Sequence, residues 1–462
     1  MNTPICDFAR RYADSGALRL HMPGHKGAPL LGPEPYDLTE IDGADSLYEA
    51  SGIIRESEEN ASSLFGCTTL YSTEGSSLCI RAMLYLTVIY ARQKGQRPLI
   101  AAGRNAHKAF VSAAALLDLE ISWLYPEENA SYLTCRPDPE KLDAFLARAP
   151  EKPAAVYITS PDYLGNTADI EGLARVCHRH GVLLLVDNAH GAYLKFLPRS
   201  QHPMDLGADL CCDSAHKTLP VLTGGAYLHL ASGLPELFFR QAKNALCLFG
   251  STSPSYLILQ SLDRANPYLA EGYRERLAAF TEETGALKDR LIGHGYTLMG
   301  DEPLKLTLAA KDYGYSGTAL AALLRERGIV CEFADPDFLV LMLTPEIGSA
   351  GLAMLEKALL SLPRRPALSE KAPDFCRPEK VMSIREASLS PSEIVPVSAC
   401  AGRVLAAANV GCPPAVPIVV CGERIDRDAL NAFAYYGIEK CTVIQCSPPD
   451  RTQSCSQENC FS

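Results

Sequence analysis

The chain has 462 residues, of which 47% are hydrophobic and 21% charged, and it carries a net charge of −11. That length exceeds one small core and suggests roughly two to four units, while the acidic balance argues against a nucleic-acid partner, whose phosphates attract basic faces. No apolar run is long enough for a membrane span and Met1 to Arg11 has no apolar signal core, so a soluble chain without a membrane partner is expected.

The first fifty residues read as loop, punctuated by Pro23, Gly24, Gly27, Pro29, Gly32, Pro33 and Pro35. From about Gly52 strands and helices alternate. Ser76 to Tyr90 reads as a buried helix after a Gly turn, Leu99 to Ala102 as a short strand, and His107 to Leu117 as a helix. Ala154 to Thr159 is a strand, Ile170 to His180 a helix, and Val182 to Val186 a continuous apolar strand ending at Asp187. Short strands apolar on both faces, with helices between them, predict a mostly parallel sheet covered on each side, an α/β architecture. After about Gly295 the pattern changes. Leu304, Leu306 and Leu308 alternate with Lys305 and Thr307, as in a half-buried strand. Gly317 to Arg327 reads as a helix, Phe338 to Leu343 as a strand and Ala350 to Leu362 as a helix. This organisation predicts a large domain over 1–295, a small α+β domain over 296–365, a linker over 366–378, a C-terminal α+β domain over 379–445, and a mobile tail over 446–462. The 17 cysteines form no pair of CxxC motifs at zinc spacing, and Cys446, Cys455 and Cys460 are too loosely spaced for a metal site. Most sit in apolar stretches, as Cys211, Cys212, Cys331 and Cys441 do, and read as reduced thiols of a cytoplasmic protein with no metal.

The residues that carry chemistry lie in two segments. Asp187 ends a buried strand, where open α/β sheets bind ligands. About thirty residues on, Ser214-Ala215-His216-Lys217 follows another short strand. An Asp and a Lys in these places suit the two ends of an aromatic aldehyde cofactor. The carboxylate keeps a ring nitrogen protonated, and the amine condenses with the aldehyde. Condensation needs a neutral amine, so the lysine must lose its proton through burial or neighbouring charge.

Ser214 with His216-Lys217-Thr218-Leu219 resembles the cofactor-lysine segment of the prokaryotic-type Orn/Lys/Arg decarboxylase family. Other landmarks follow in order: Leu20-His21-Met22-Pro23-Gly24-His25-Lys26-Gly27, Asp37 to Glu40, Asp45-Ser46-Leu47, Arg104 to Lys108, Ser160 to Gly165, Ser251 to Tyr256, Ala401-Gly402-Arg403 and Pro413 to Pro417. The resemblance covers nearly the whole chain, in a short form without the family's N-terminal wing domain. It implies a fold-type I (aspartate aminotransferase-like) large domain and pyridoxal 5'-phosphate as cofactor. It also implies decarboxylation of lysine, arginine or ornithine to the corresponding di- or polyamine precursor.

The resemblance assigns roles as well. Lys217 holds the cofactor as a Schiff base, Asp187 pairs with its ring nitrogen, and His107 stacks on the ring. Gly75, Ser76 and Ser77 bind the phosphate at a helix N-terminus, with Ser214 and His216 flanking. His190 or Asn188 lines the pocket. Thr252 and Ser253 reach the phosphate of a neighbouring subunit, which implies a homodimer or higher homo-oligomer. Glu423 meets the cationic end of the substrate. Several positions depart from the usual pattern. Glu74 replaces Asn in the phosphate turn and repels the phosphate unless it points away. Asn188 replaces Glu, Tyr193 His, Gly224-Gly225 a Thr-Gln-like pair, Cys421 Pro, and Cys412 Tyr. Competing readings are an aminotransferase or lyase, which needs an arginine such as Arg385 or Arg403 for the α-carboxylate, and a cofactor-binding homologue without decarboxylase activity.

Overall fold

The computed structural model describes residues 1–127, 130–407, 411–412 (backbone only) and 416–445. The side chain of Cys412, the segment 413–415 of the proline-rich motif and the tail 446–462 lie outside the described residues. The chain opens with a helix, α1 (Pro4–Asp14), and a long loop leads to α2 (Ile53–Phe65). The large domain then runs β1 (Thr68–Ser72), α3 (Gly75–Gln93), β2 (Leu99–Gly103), α4 (Lys108–Leu117), β3 (Glu120–Leu124), α5 (Pro139–Arg148), β4 (Ala155–Thr159) and α6 (Ile170–His180). It continues through β5 (Leu183–Asp187), β6 (Leu210–Asp213), the single turn α7 (Ala215–Thr218), β7 (Ala226–Leu230), α8 (Glu236–Cys247), α9 (Tyr256–Ala270) and α10 (Tyr273–His294).

Seven strands form one sheet in the order β1-β7-β6-β5-β4-β2-β3, with β7 alone running against the rest. The apolar run in β5 is explained by coverage of both faces. Leu183 and Leu185 pack into a core with residues of α3 and α4, and Leu184 and Val186 into a core with residues of α6. Burial on both faces removes the alternation that a half-exposed strand would show. The strand therefore delivers Asp187 to the carboxyl edge of the sheet with no polar residue before it.

Helix α1 corrects the expectation of loop throughout the first fifty residues. Ile5 and Ala9, one turn apart, are fully buried, and the helix packs on α2 and α9. The Cys6 amide donates to Asp263 Oδ2 at 2.9 Å, fixing the helix to α9. The stretch is too short to hold a helix alone, and its stabilising partners, α2 and α9, lie far from it in the chain.

The small domain contains β8 (Leu298–Met299), β9 (Lys305–Ala309), α11 (Gly317–Arg325), β10 (Phe333–Ala334), β11 (Phe338–Met342) and α12 (Gly348–Leu360), with an antiparallel sheet in the order β10-β11-β9-β8. Here β9 departs from the half-buried expectation: Lys305 is 3% exposed and Thr307 1%. The polar face turns inward, because it abuts the large domain. A third sheet pairs Ser392–Pro396 with Lys440–Ile444, beside the helix Arg427–Tyr435. Among the described residues no helix is long and apolar enough to cross a membrane.

Candidate active site

The carboxyl edge of the large sheet, Glu332 of the small domain and Val416 enclose a cavity of about 240 Å³. Asp187 and Lys217, distant in sequence, line this one cavity. Asp187 Oδ2 accepts a hydrogen bond from Tyr157 Oη at 2.9 Å, and Oδ1 accepts from the Ala189 amide at 3.2 Å, so the carboxylate is held at the end of β5. Burial depresses the Lys217 ammonium, with the Asp187 carboxylate opposing the effect.

The cavity also meets the N-terminus of α3. Gly75, Ser76, Ser77, Ser214 and His216 all line it, and Ser214 Oγ donates to Ser76 Oγ at 2.8 Å. The turn is shaped by a close approach of backbone. The Gly75 amide donates to Gly224 O at 2.7 Å. Gly224 adopts φ +100°, and a Cβ there would come within 2.8 Å of Thr73 O. Gly225 O accepts from His216 Nδ1 at 3.0 Å. The glycine pair therefore has a steric reason: only residues without Cβ let this loop lie on the turn. Glu74 points away, its carboxylate accepting from the Ser251 amide, so it does not face the anion site.

His107 lines the cavity as N-cap of α4, with Nδ1 accepting from the Ala109 amide at 3.1 Å. Burial lowers its proton affinity, leaving a neutral ring that can lie against a protonated pyridine without charge repulsion. His190 also lines the cavity, and its Nε2 lies 3.0 Å from Lys217 Nζ. Asn188 does not line it; its Nδ2 donates to Asp213 Oδ1 at 2.7 Å.

Three residues that the sequence reading left out shape the site. Glu332, next to β10, lines the cavity and accepts from Tyr163 Oη at 2.8 Å. Tyr163 sits edge-on to His190, with ring centroids 5.2 Å apart. Its loop is built by Asp162, whose Oδ1 accepts from the Leu164 and Asn166 amides, each at 2.9 Å. Lys305, from the inward face of β9, reaches His190 Nδ1 at 3.3 Å. Glu332 and Lys305 belong to another sheet, so no local spacing connects them to Lys217; a charged residue in an otherwise buried strand was the available signal for Lys305.

Other expected site residues lie elsewhere. Glu423 is buried but faces Arg104: Arg104 donates to its Oε2 at 3.0 Å, and to Pro417 O and Ile418 O at 2.8 and 3.0 Å. Within the chain, then, this carboxylate is spent on an internal ion pair rather than on the cavity. Thr252 and Ser253 are exposed and outside the cavity of their own chain. Arg385 donates to Ala115 O and Leu116 O, and Arg403 pairs with Glu393; neither lines the cavity.

The residues present fit pyridoxal phosphate. An anion site at a helix N-terminus with serine hydroxyls, an amine, a carboxylate and a neutral imidazole all line the one cavity. Thr159 Oγ1 and Asn105 Oδ1 also line the cavity, buried and without a hydrogen-bond partner among the described residues. Such atoms are costly unless a ligand supplies partners.

A family model described as Orn/Lys/Arg decarboxylase, major domain, matches residues 3–292. An uncharacterised protein of Bacillus subtilis, YaaO, is 29% identical, covering 94% of each chain. Arginine decarboxylase of the same organism is 27% identical over 97% of this chain and 96% of its own length. Among solved structures, the lysine decarboxylase LdcF of Francisella novicida superposes with a TM-score of 0.78 at 17% identity, over 96% of this chain and 81% of that one.

Proposed function

The chain belongs to the Orn/Lys/Arg decarboxylase family, and from this premise we propose that it removes the α-carboxylate of arginine as carbon dioxide, with lysine and ornithine as the competing substrates. Its cofactor is pyridoxal phosphate, which when bound supplies an aldehyde for amine condensation and a protonated ring that takes up the electron pair left by the departing carboxylate. The observation that carries the proposal is that Lys217, Asp187 and Glu332 line one cavity.

The chain's own groups divide the work. Lys217 offers the amine that anchors the cofactor. Asp187 would hold the proton on the ring nitrogen. Ser76, Ser77, Ser214 and His216, with the α3 N-terminus, take the phosphate, and His107 covers one ring face. Glu332 meets the ammonium or guanidinium at the far end of the substrate, a role expected of Glu423 from sequence. Tyr163 holds Glu332 by its hydroxyl. The cavity offers no arginine to grip the α-carboxylate among its described residues, which favours loss of that group over the aminotransferase reading.

The subunit arrangement belongs to the same proposal. Leu18, Leu20, Met22, Leu30 and Leu31 are 68–91% exposed, an apolar stretch that a single chain leaves uncovered. A second copy covers it and brings Thr252 and Ser253 towards the neighbouring phosphate. The test of function is a decarboxylation screen of arginine, lysine and ornithine with pyridoxal phosphate, reading amine and carbon dioxide together. Arginine turnover is expected; a keto acid in place of carbon dioxide, or no turnover of any of the three, rejects the reading.

A further inference from the structure

Two lysines meet one imidazole at the back of the cavity. Lys217 Nζ lies 3.0 Å from His190 Nε2, and Lys305 Nζ lies 3.3 Å from His190 Nδ1. A neutral imidazole has one donor and one acceptor nitrogen, and an ammonium can only donate. Two ammonium groups therefore cannot both hydrogen-bond to this ring. Burial and the two lysine charges hold His190 well below its ordinary proton affinity, so the ring is neutral. One lysine is then the donor, and the other must present a lone pair.

The surroundings select which. Lys305 Nζ also donates to Asp162 O at 3.1 Å and lies 5.7 Å from the Tyr163 ring centre. Its methylene stem is packed against Gly165, where an added Cβ would come within 3.2 Å of Lys305 Cδ. Burial pushes its ammonium down, as does the charge of Lys217, while Glu302, Asp162 and Glu332 oppose that shift. A carbonyl, a ring face and carboxylates make a seat for a cation. Among the described residues Lys217 Nζ has no carbonyl partner, and it is faced by Asp187, Glu332 and Cys212. His107 and His216 complete the titratable groups facing His190.

We propose that Lys305 is a positioning residue: its ammonium donates to His190 Nδ1, fixes the ring as the Nε2–H tautomer, and so makes Lys217 accept that hydrogen bond as the free amine. In this arrangement one proton sits on Lys305 beyond its neutral form, one on His190 Nε2, and none in excess on Lys217. The inference rests on Lys217 being the cofactor lysine, and it adds how that lysine is kept nucleophilic before the cofactor arrives.

The full-length protein, stripped of cofactor, is exposed to pyridoxal phosphate and cyanoborohydride across a range of pH, and mass spectrometry locates the reduced adduct. Wild type is expected to be tagged on Lys217 and not on Lys305. In Lys305→Met the donor to Nδ1 is gone, Lys217 can donate to the ring as an ammonium, and the tagging midpoint rises by about one pH unit, an approximately tenfold slower rate at neutral pH. Lys305→Gln, whose amide can still donate, restores the wild-type midpoint, which a loss of packing alone would not do. Should Lys305→Met fail to fold, the ¹⁵N-histidine spectrum of the wild-type apoprotein decides, with His190 identified by its loss in His190→Asn. A protonated Nε2 supports the proposal. An Nδ1–H tautomer, preferential tagging of Lys305, or an unchanged midpoint in folded Lys305→Met overturns it while leaving the cofactor assignment standing. Absence of any Lys217 adduct in wild type overturns both together.

Discussion

At the scale of single residues, the site concentrates its charges in a volume where each has an assigned counterpart. On the proposed reading Lys217 and Asp187 serve opposite ends of one cofactor, so Lys217→Ala is expected to abolish turnover and the absorbance of the bound aldehyde adduct; retained turnover refutes its role. Glu332 is the carboxylate positioned for a cationic side chain. A charge-assisted hydrogen bond contributes about 1.5–3 kcal/mol, so Glu332→Gln should lower kcat/KM for the basic substrate by about 10- to 100-fold. Steady-state kinetics check this, and the loss should fall mainly on KM. An equal loss for Glu423→Gln would instead return the substrate role to the C-terminal residue.

At the scale of elements, strand ends and turns are fixed by neighbours rather than by their own propensities. The α3 N-terminus depends on the Gly224 loop lying against Thr73. Gly224→Ala forces a Cβ to within 2.8 Å of Thr73 O from a φ of +100°, and should weaken cofactor retention about tenfold or more. Equilibrium dialysis of pyridoxal phosphate measures this, with Gly233→Ala, where a Cβ meets nothing within 4 Å, as the control. The end of β6 is fixed by Asp213, whose Oδ2 accepts from His202 Nε2 at 3.0 Å and His229 Nε2 at 3.1 Å, all three fully buried. His202, Cys211 and Asp213 also have metal-ligand chemistry at short range, but here the carboxylate is occupied by the two imidazoles. Burial pushes Asp213 up, yet the histidines outweigh it and its pKa falls below the ordinary 3.8. Burial pushes His229 down, yet Asp213 outweighs it and its pKa rises above 6.5. The Asp213 contribution to stability is thus present above pH 3.8 and lost as pH falls below it. The His229 contribution is present below pH 6.5 and lost as pH rises through the higher folded value. Asp213→Asn should cost about 3 kcal/mol or more and flatten both limbs of a Tm-against-pH profile; a profile like the wild type would refute the network.

At the scale of the whole molecule, Arg104 ties Pro417, Ile418 and Glu423 of the C-terminal part to the large domain. The pair it forms with Glu423 is almost dry, with side-chain exposures of 0% and 5%. Breaking such a pair from one side strands a buried charge, so Arg104→Met should loosen the segment around 416–425, seen as faster hydrogen exchange there, while the large sheet stays protected. Uniform protection would contradict this coupling. If a second copy completes the phosphate site, specific activity should fall on dilution as sedimentation shows monomer appearing; a fully active monomer would refute that reading.

Much of this was legible in the sequence for physical reasons. The all-apolar Val182 to Val186 run before Asp187 marks a strand buried on both faces. The short segment carrying Ser214, His216 and Lys217 is local chemistry that needs no knowledge of the rest of the chain. Helix α6 was readable to its ends, because Asp169 and Gly181 are local start and stop signals. Helix α1 was not, since its stability comes from packing on α2 and α9, and β9 was read with its polar face outward, since only docking of the small domain turns Lys305 inward. Composition and periodicity thus determined the alternation of strands and helices and the strand that ends at Asp187, which depend on neighbours along the chain, while the resemblance pointed to Lys217. The tertiary structure alone decided that Glu332 and Lys305 join them and that Glu423 faces Arg104, because those contacts are made between separate sheets, and no sequence spacing records the direction in which one packed layer presents its side chains to another.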